Sequence, residues 1–257
     1  MPANYPCLVH LTAIPGGTVM LRDSRRNTER RVVLQPFRIA TTPVRAGEFV
    51  FDLENASSLE NVEAPASGVR WLDAVAWCNA ASEAEGIEPA YTFTDEAVRW
   101  NPAANGFRLP TEAEWVFASL GGGLGPRYGP LSEIAWSALD DVGAPQTVGR
   151  KAPNDYGLFD TLGNVWEWCW DRLDPARYGE YRLLKGGGWA DPEWSCRVGV
   201  RRGNAPDAIV EDVGFRAARG AVADSAGADG GQGWSEAADR QRAAASHPLP
   251  LGWTPLR

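Results

Sequence analysis

Apolar and polar positions alternate in two runs near the start of the chain. Leu11 to Met20, which contains Ile14-Pro15-Gly16-Gly17, and Arg31 to Ile39, with Val32, Leu34, Phe37 and Ile39 set among polar neighbours, predict two strands. Arg22 to Arg30 between them is a charged loop, either solvated or able to hold an anion. Pro43 to Leu53 can open a short helix on Glu48, Phe49 and Phe51, and Ser57 to Gly68 is a polar surface loop. The period then changes. Trp71, Leu72, Val75, Ala76 and Asn79 recur at helical spacing and Gly86 stops the run, which predicts an amphipathic helix. Tyr91 to Phe93 and Ala97 to Trp100 predict a hairpin with Thr94-Asp95-Glu96 at its tip.

A second helix starts at Thr111-Glu112-Ala113-Glu114, where the Thr111 hydroxyl and the Glu114 carboxylate have capping-box spacing, and it ends at Gly121-Gly122-Gly123. Arg108 just before it can form a salt bridge to Glu112 or Glu114, or anchor a ligand carboxylate. Leu124 to Arg150 is loop-rich, with Trp136 as its packing anchor. The stretch Asn154 to Trp170, NDYGLFDTLGNVWEWCW, interleaves Asp160 and Glu167 with aromatic residues. Buried carboxylates need a pairing charge, hydrogen bonds or a cation. Leu183 to Trp189 is a strand ending in a glycine run, Asp191 to Asp207 a surface loop system, and Val213 to Ala218 a closing central strand. From Gly220 the composition turns to Ala, Gly, Asp, Ser and Gln. It reads as a linker to about Gly233, a short helix around Ser235 to Ala245 and a Pro-rich end.

Composition narrows the class. With 257 residues, 44% hydrophobic content and 12 Trp the chain can bury a sizeable core, and 28 Gly and 19 Pro imply many loops and short elements, hence an irregular α+β fold. A net charge of −8 gives no footprint for nucleic acid or anionic lipid. Neither a basic leader with an apolar run nor a membrane-length apolar stretch is visible, so the expected location is cytoplasmic. Cys7, Cys78, Cys169 and Cys196 form no C-x-x-C pair and are expected to be reduced, mostly buried thiols. Cys7-x-x-His10 offers half of a zinc site with no second half.

FRLPTEAEW at Phe107 to Trp115, YGLFDTLGNVWEW at Tyr156 to Trp168, KGGGW at Lys185 to Trp189 and VGFRAAR at Val213 to Arg219, with IPGG and WLDAVAWCN before them, stand in a characteristic order. The chain resembles the formylglycine-generating enzyme superfamily over Leu11 to Arg219. The resemblance implies a C-type-lectin-like α+β domain with little regular secondary structure over residues 1–219, followed by an extension over 220–257. Members of that superfamily oxidise cysteine with copper, make sulfoxides with iron, mature a pyoverdine chromophore, or display ligands without catalysis. Fold alone does not choose among these.

The sites implied by the resemblance discriminate better. The family's copper site uses two thiolates and a nearby serine; counted from Trp189, these fall on Asp191, Cys196 and Gly188. Counting back from Asn204-Ala205-Pro206-Asp207 instead implies a shorter loop and shifts that register. An aspartate oxygen is a hard donor that does not replace a thiolate at Cu(I), so copper and formylglycine generation are not expected, and Cys196 remains as a single candidate catalytic thiol. Iron is not expected either, because the only histidines are His10 and His247. The family's structural Ca²⁺ site maps onto Asp160, Gly163, Val165 and Glu167, two side-chain oxygens and two carbonyls suited to a hard cation. Otherwise Asp160 and Glu167 cap loops or pair with Arg172 or Arg197. The implied recognition surface is the loop carrying Trp189, Asp191, Glu193, Trp194, Arg197, Arg201, Arg202 and Asn204, although Arg197 and Arg201 can equally be internal ion-pair partners and Trp194 a core residue. Two functions follow: a non-catalytic binding or accessory module for a peptide, small molecule or protein partner, or a divergent oxidoreductase.

Overall fold

Pro15 and Pro36 each break a predicted strand in two, because proline has no N–H to give to a ladder. The first half of one run, β1 (Leu11–Ile14), pairs with the second half of the other, β4 (Phe37–Ala40). Between them, β2 (Gly17–Asp23) and β3 (Thr28–Leu34) form a separate two-stranded ribbon that reaches well into the charged stretch. These assignments come from a computed structural model that describes residues 9–23, 27–49, 61–94, 97–220, 222 and 231–244. Cys7, the Asp95-Glu96 tip, His247 and the Pro-rich end lie outside the described residues.

The local signals hold where they are strongest. After a short α1 (Ala46–Phe49), the helix α2 (Trp71–Ala84) buries Trp71, Ala74, Val75, Trp77, Cys78 and Ala81, and Gly86 follows with φ of +68°. The hairpin is β5 (Tyr91–Phe93) with β6 (Val98–Trp100). Beyond β7 (Phe107–Arg108), the helix α3 (Glu112–Leu120) carries the full capping box: Glu114 N donates to Thr111 Oγ1 at 3.2 Å and Thr111 N to Glu114 Oε2 at 3.0 Å. Arg108 meets that same carboxylate bidentately, at 2.6 Å on each oxygen, with both side chains fully buried. Of the roles open to it, Arg108 takes the structural salt bridge. The long loop that follows holds a one-turn helix, α4 (Leu131–Ile134).

From the central motif only Trp166 onward is regular. β8 (Trp166–Arg172) lies in a four-stranded sheet with β9 (Arg182–Lys185), β10 (Arg202–Asn204) and β11 (Val213–Gly214), in the order β10-β9-β8-β11, and a one-turn α5 (Pro175–Tyr178) joins β8 to β9. The predicted closing strand is not one strand. Its start, β11, runs parallel to β8, whereas β12 (Ala218–Arg219) belongs to the other four-stranded sheet, ordered β1-β4-β12-β7. Phe215-Arg216-Ala217 crosses between the two sheets.

Arg216 at that crossing meets Glu167 of β8. Nε and Nη2 donate to the two carboxylate oxygens at 2.6 Å each, and both side chains are fully buried. Nη1 also donates to Ala40 O at 3.0 Å and Nη2 to Phe159 O at 2.9 Å, while Trp115 Nε1 donates to Glu167 Oε2 at 2.6 Å. One ion pair therefore links both sheets, α3 and the central loop. After Gly220, the described part of the extension packs against the domain, ending in α6 (Glu236–Ala244). No helix among the described residues is long and apolar enough to cross a membrane.

Removing one partner of such a pair strands a buried charge. Glu167→Ala is expected to lower unfolding free energy by about 3–5 kcal/mol. The double replacement Glu167→Leu with Arg216→Met should lose less, which urea denaturation of both variants will measure.

Candidate functional site

The chain leaves β9 through Gly186 and Gly187, with φ of +99° and +86°, a left-handed pair that only glycine adopts without strain. This turn brings Gly188 to Asp191 against Trp166. Asp191 Oδ2 accepts from Gly188 N at 2.8 Å and from Trp166 Nε1 at 2.5 Å, so the aspartate locks the turn to the sheet. A Cβ built on Gly188 would stand 2.6 Å from Asp212 Oδ2, which means that Asp212 fills the space where the resemblance expects a serine side chain. Asp212 is held there because Trp166 N donates to its carbonyl at 2.8 Å as β11 joins β8. Burial pushes the Asp212 carboxyl up, against the pull of Arg202 and with a further push from Asp191. Its buried Oδ1 has no hydrogen-bond partner among the described residues. Arg202 lies 5.4 Å over the Trp166 ring and is itself exposed.

Cys196 is buried under this turn, its sulfur 2.8 Å from where a Cβ on Gly187 would be. Burial, with Asp191 next, pushes the thiol up to about 12. A thiol that stays protonated and inaccessible is a poor nucleophile. The chemistry available is therefore acidic and aromatic, with Asp191 and Asp212 beside Trp166 and Arg202.

The structure divides the residues expected on the recognition loop. Asp191 and the half-buried Trp189 stay by Gly188, and the Trp189 indole N–H is buried without a partner among the described residues. Trp194 is 62% exposed, and the neighbouring Glu193 pairs with Arg127 at 2.9 Å. Arg201 is an internal ion-pair partner, bound to Glu112 at 2.8 Å and Asp23 at 3.0 Å. Asn204 accepts from the next backbone N–H, at 2.9 Å. Arg197 lines an open groove of about 690 Å³ walled by Val19, Phe117, Leu120 and Val198. Arg202 was expected on this loop, whereas Asp212 and Trp166 were not anticipated as site residues. Asp212 directly precedes VGFRAAR, and only the parallel pairing of β11 with β8 reveals its place.

All four positions mapped for calcium, Asp160, Gly163, Val165 and Glu167, are buried. Glu167 is held by Arg216 and Trp115, and neither Arg172 nor Arg197 is its partner. Asp160, 1% exposed and at φ of +52°, accepts from Gly149 N at 2.7 Å and from Asn164 Nδ2 at 3.5 Å. Gly163 is pressed onto Trp136: a Cβ there would stand 2.1 Å from Trp136 O. No group of three or more His, Cys, Asp or Glu arranged to hold a metal ion occurs among the described residues.

Residues 8–221 match the family of the sulfatase-modifying factor enzyme 1-like domain. The chain is 30% identical to the inactive C-alpha-formylglycine-generating enzyme 2 of Mus musculus, with 85% of this chain and 87% of the relative aligned. It is 28% identical to the chaperone protein LppX of Paenibacillus barcinonensis, over 81% of this chain and 89% of that one. Among solved structures, Treponema denticola variable protein 1 superposes with a TM-score of 0.73 and 28% identity, covering 81% of this chain and 94% of its own.

The loop around Asp160 yields two tests. Burial raises the Asp160 carboxyl to about 6. An unfolded aspartate titrates near 3.9, so the stability linked to this group is present below about pH 4 and is lost as pH rises through about 6. Asp160→Asn, which keeps the oxygen facing Gly149, is expected to melt above the wild type at about pH 8, with the gain vanishing near pH 4. Because Arg216 occupies both Glu167 oxygens, calcium and chelator are expected to give the same melting temperature; a calcium-dependent rise would support an ion at the mapped positions.

Proposed function

We propose that this chain, which belongs to the sulfatase-modifying factor enzyme 1-like family, is a binding or accessory module that recognises a peptide, small molecule or protein partner on the face around Gly188, Asp191, Trp194 and Arg202. The observation that carries this reading is the state of the two positions that oxidising members use for copper. One is Asp191, with an oxygen bound to Trp166 Nε1 and Gly188 N, and the other is Cys196, sealed beneath the turn. Soft Cu(I) prefers sulfur, and a lone protonated thiol offers it no pair. Two of the relatives are named an inactive enzyme and a chaperone, which supports a role without the copper oxidation. Exposed Arg202 lies over Trp166 and near Asp212, and exposed Trp194 follows Asp191 by three residues, so the face offers aromatic and mixed-charge contacts.

The test uses the purified chain with copper, oxygen and a cysteine-containing peptide. The expected result is neither oxygen uptake nor peptide aldehyde, with no stoichiometric copper retained after dialysis. One bound copper per chain together with aldehyde formation would make the protein an oxidase. On a peptide array, recognition by this face predicts selective capture that Trp194→Ala abolishes.

A further inference from the structure

The extension lies beyond the matched domain, yet its Gln232 and Gly233 are held by domain residues. Gln232 is 3% exposed. Its Oε1 accepts from Gln35 N at 2.8 Å, and its Nε2 donates to Gln35 O at 3.1 Å and to Glu114 Oε1 at 2.9 Å. The carboxamide thus pairs with both backbone groups of Gln35, just past the end of β3, and takes a lone pair of the carboxylate already held by Arg108. Thr111 Oγ1 donates to Gln232 O at 2.7 Å, and Arg30 Nη1 donates to Gly233 O at 2.6 Å.

The next two positions are equally selective. A Cβ on Gly233 would stand 2.8 Å from Val32 Cγ1 and 3.0 Å from Ala113 Cβ, and φ there is +76°, so only glycine fits. The Trp234 ring lies 5.5 Å from Trp100 and 5.4 Å from Trp170 by centroid. Its indole N–H donates to Asp239 Oδ2 of α6 at 2.9 Å, and Arg172 Nη1 fixes that oxygen at 3.1 Å. Carboxamide, bare backbone and indole are each read by a different physical contact: a three-bond polar fit, steric exclusion and aromatic packing.

We infer that the domain carries a peptide-docking site selective for a Gln-Gly-Trp segment, which the chain occupies with its own extension and which the same segment on another polypeptide can occupy instead. The covalent link contributes only effective concentration, since the polar partners of Gln232 and Gly233 belong to the domain. Residues 223–230, ADSAGADG, have the small, polar composition of a tether. This site is separate from the face around Gly188 and does not depend on the function proposed for it.

The experiment places a specific protease sequence within residues 224–229 of the full chain, folds it, cleaves it and adds a fluorescent peptide of residues 231–244. After cleavage the labelled peptide is expected to exchange into the slot, whereas the uncleaved chain, its slot occupied, binds it far more weakly. Peptides with Gly233→Ala or Trp234→Ala should bind about 30-fold or more weakly, as expected for loss of a buried anchor. The inference fails if those peptides bind as well as the parent, or if the cleaved domain stays folded by near-ultraviolet circular dichroism and takes up no peptide. It also fails if cleavage unfolds the domain, which would make the extension an inseparable part of the core.

Discussion

A buried carboxylate and a buried guanidinium cannot be left to themselves, and the fold is built around satisfying one such pair. Glu167 comes from β8 and Arg216 from the crossing between the two sheets, and both are fully buried. Taking each out of water costs several kcal/mol, which attraction offsets only when geometry is good and the remaining donors are met. Here the pair is bidentate, Trp115 covers one oxygen, and carbonyls of Ala40 and Phe159 accept the other guanidinium N–H groups. Each of those carbonyls comes from a different part of the chain. The irregular path from Asn154 to Val165 delivers one of them, so its lack of regular structure follows from what it must reach.

Arg108 and Glu114 repeat the device at the start of α3, where the capping box uses the same carboxylate. The tryptophans fill the space between these charged centres. Trp170 touches Trp71, Tyr91, Trp100 and Trp234, and Arg182 lies 3.9 Å over Trp71. Indole N–H groups of Trp71 and Trp168 donate to backbone carbonyls of Cys169 and Val69, which ties α2 and its approach to β8. Aromatic bulk with a single polar handle suits a core that has few long regular elements to pair its own backbone.

This economy explains which parts were legible in the sequence. The α2 periodicity, the β5–β6 hairpin and the Thr111–Glu114 capping box are local patterns, and they fold as written. The two N-terminal strands were legible as apolar runs, but their partition was not, because a proline marks a break without saying which half pairs with which. The partner of Glu167 was illegible for the same kind of reason: Arg216 lies 49 positions away, while Arg172 and Arg197 are nearer in sequence. Asp212 reaches Gly188 only through a parallel pairing, and Gln232 reaches Glu114 from 118 positions away. The family motifs supplied the fold and pointed to the Gly188–Asp191 turn, yet they could not show that an aspartate from the closing segment occupies it.

The separation of scaffold from surface also bears on how such a domain can change its function. The Glu167–Arg216 centre needs nothing from the turn at Gly186–Gly188 except that the backbone pass close by, with Gly163 N donating to Gly186 O at 3.0 Å. Exchanging a thiolate for Asp191 therefore leaves the buried charge balance intact, and the aspartate gains two hydrogen bonds of its own, to Trp166 and Gly188. Those two bonds fasten the turn to the sheet beneath it. Where the extension docks, Glu114 holds Arg108 with both oxygens while Oε1 also accepts from Gln232.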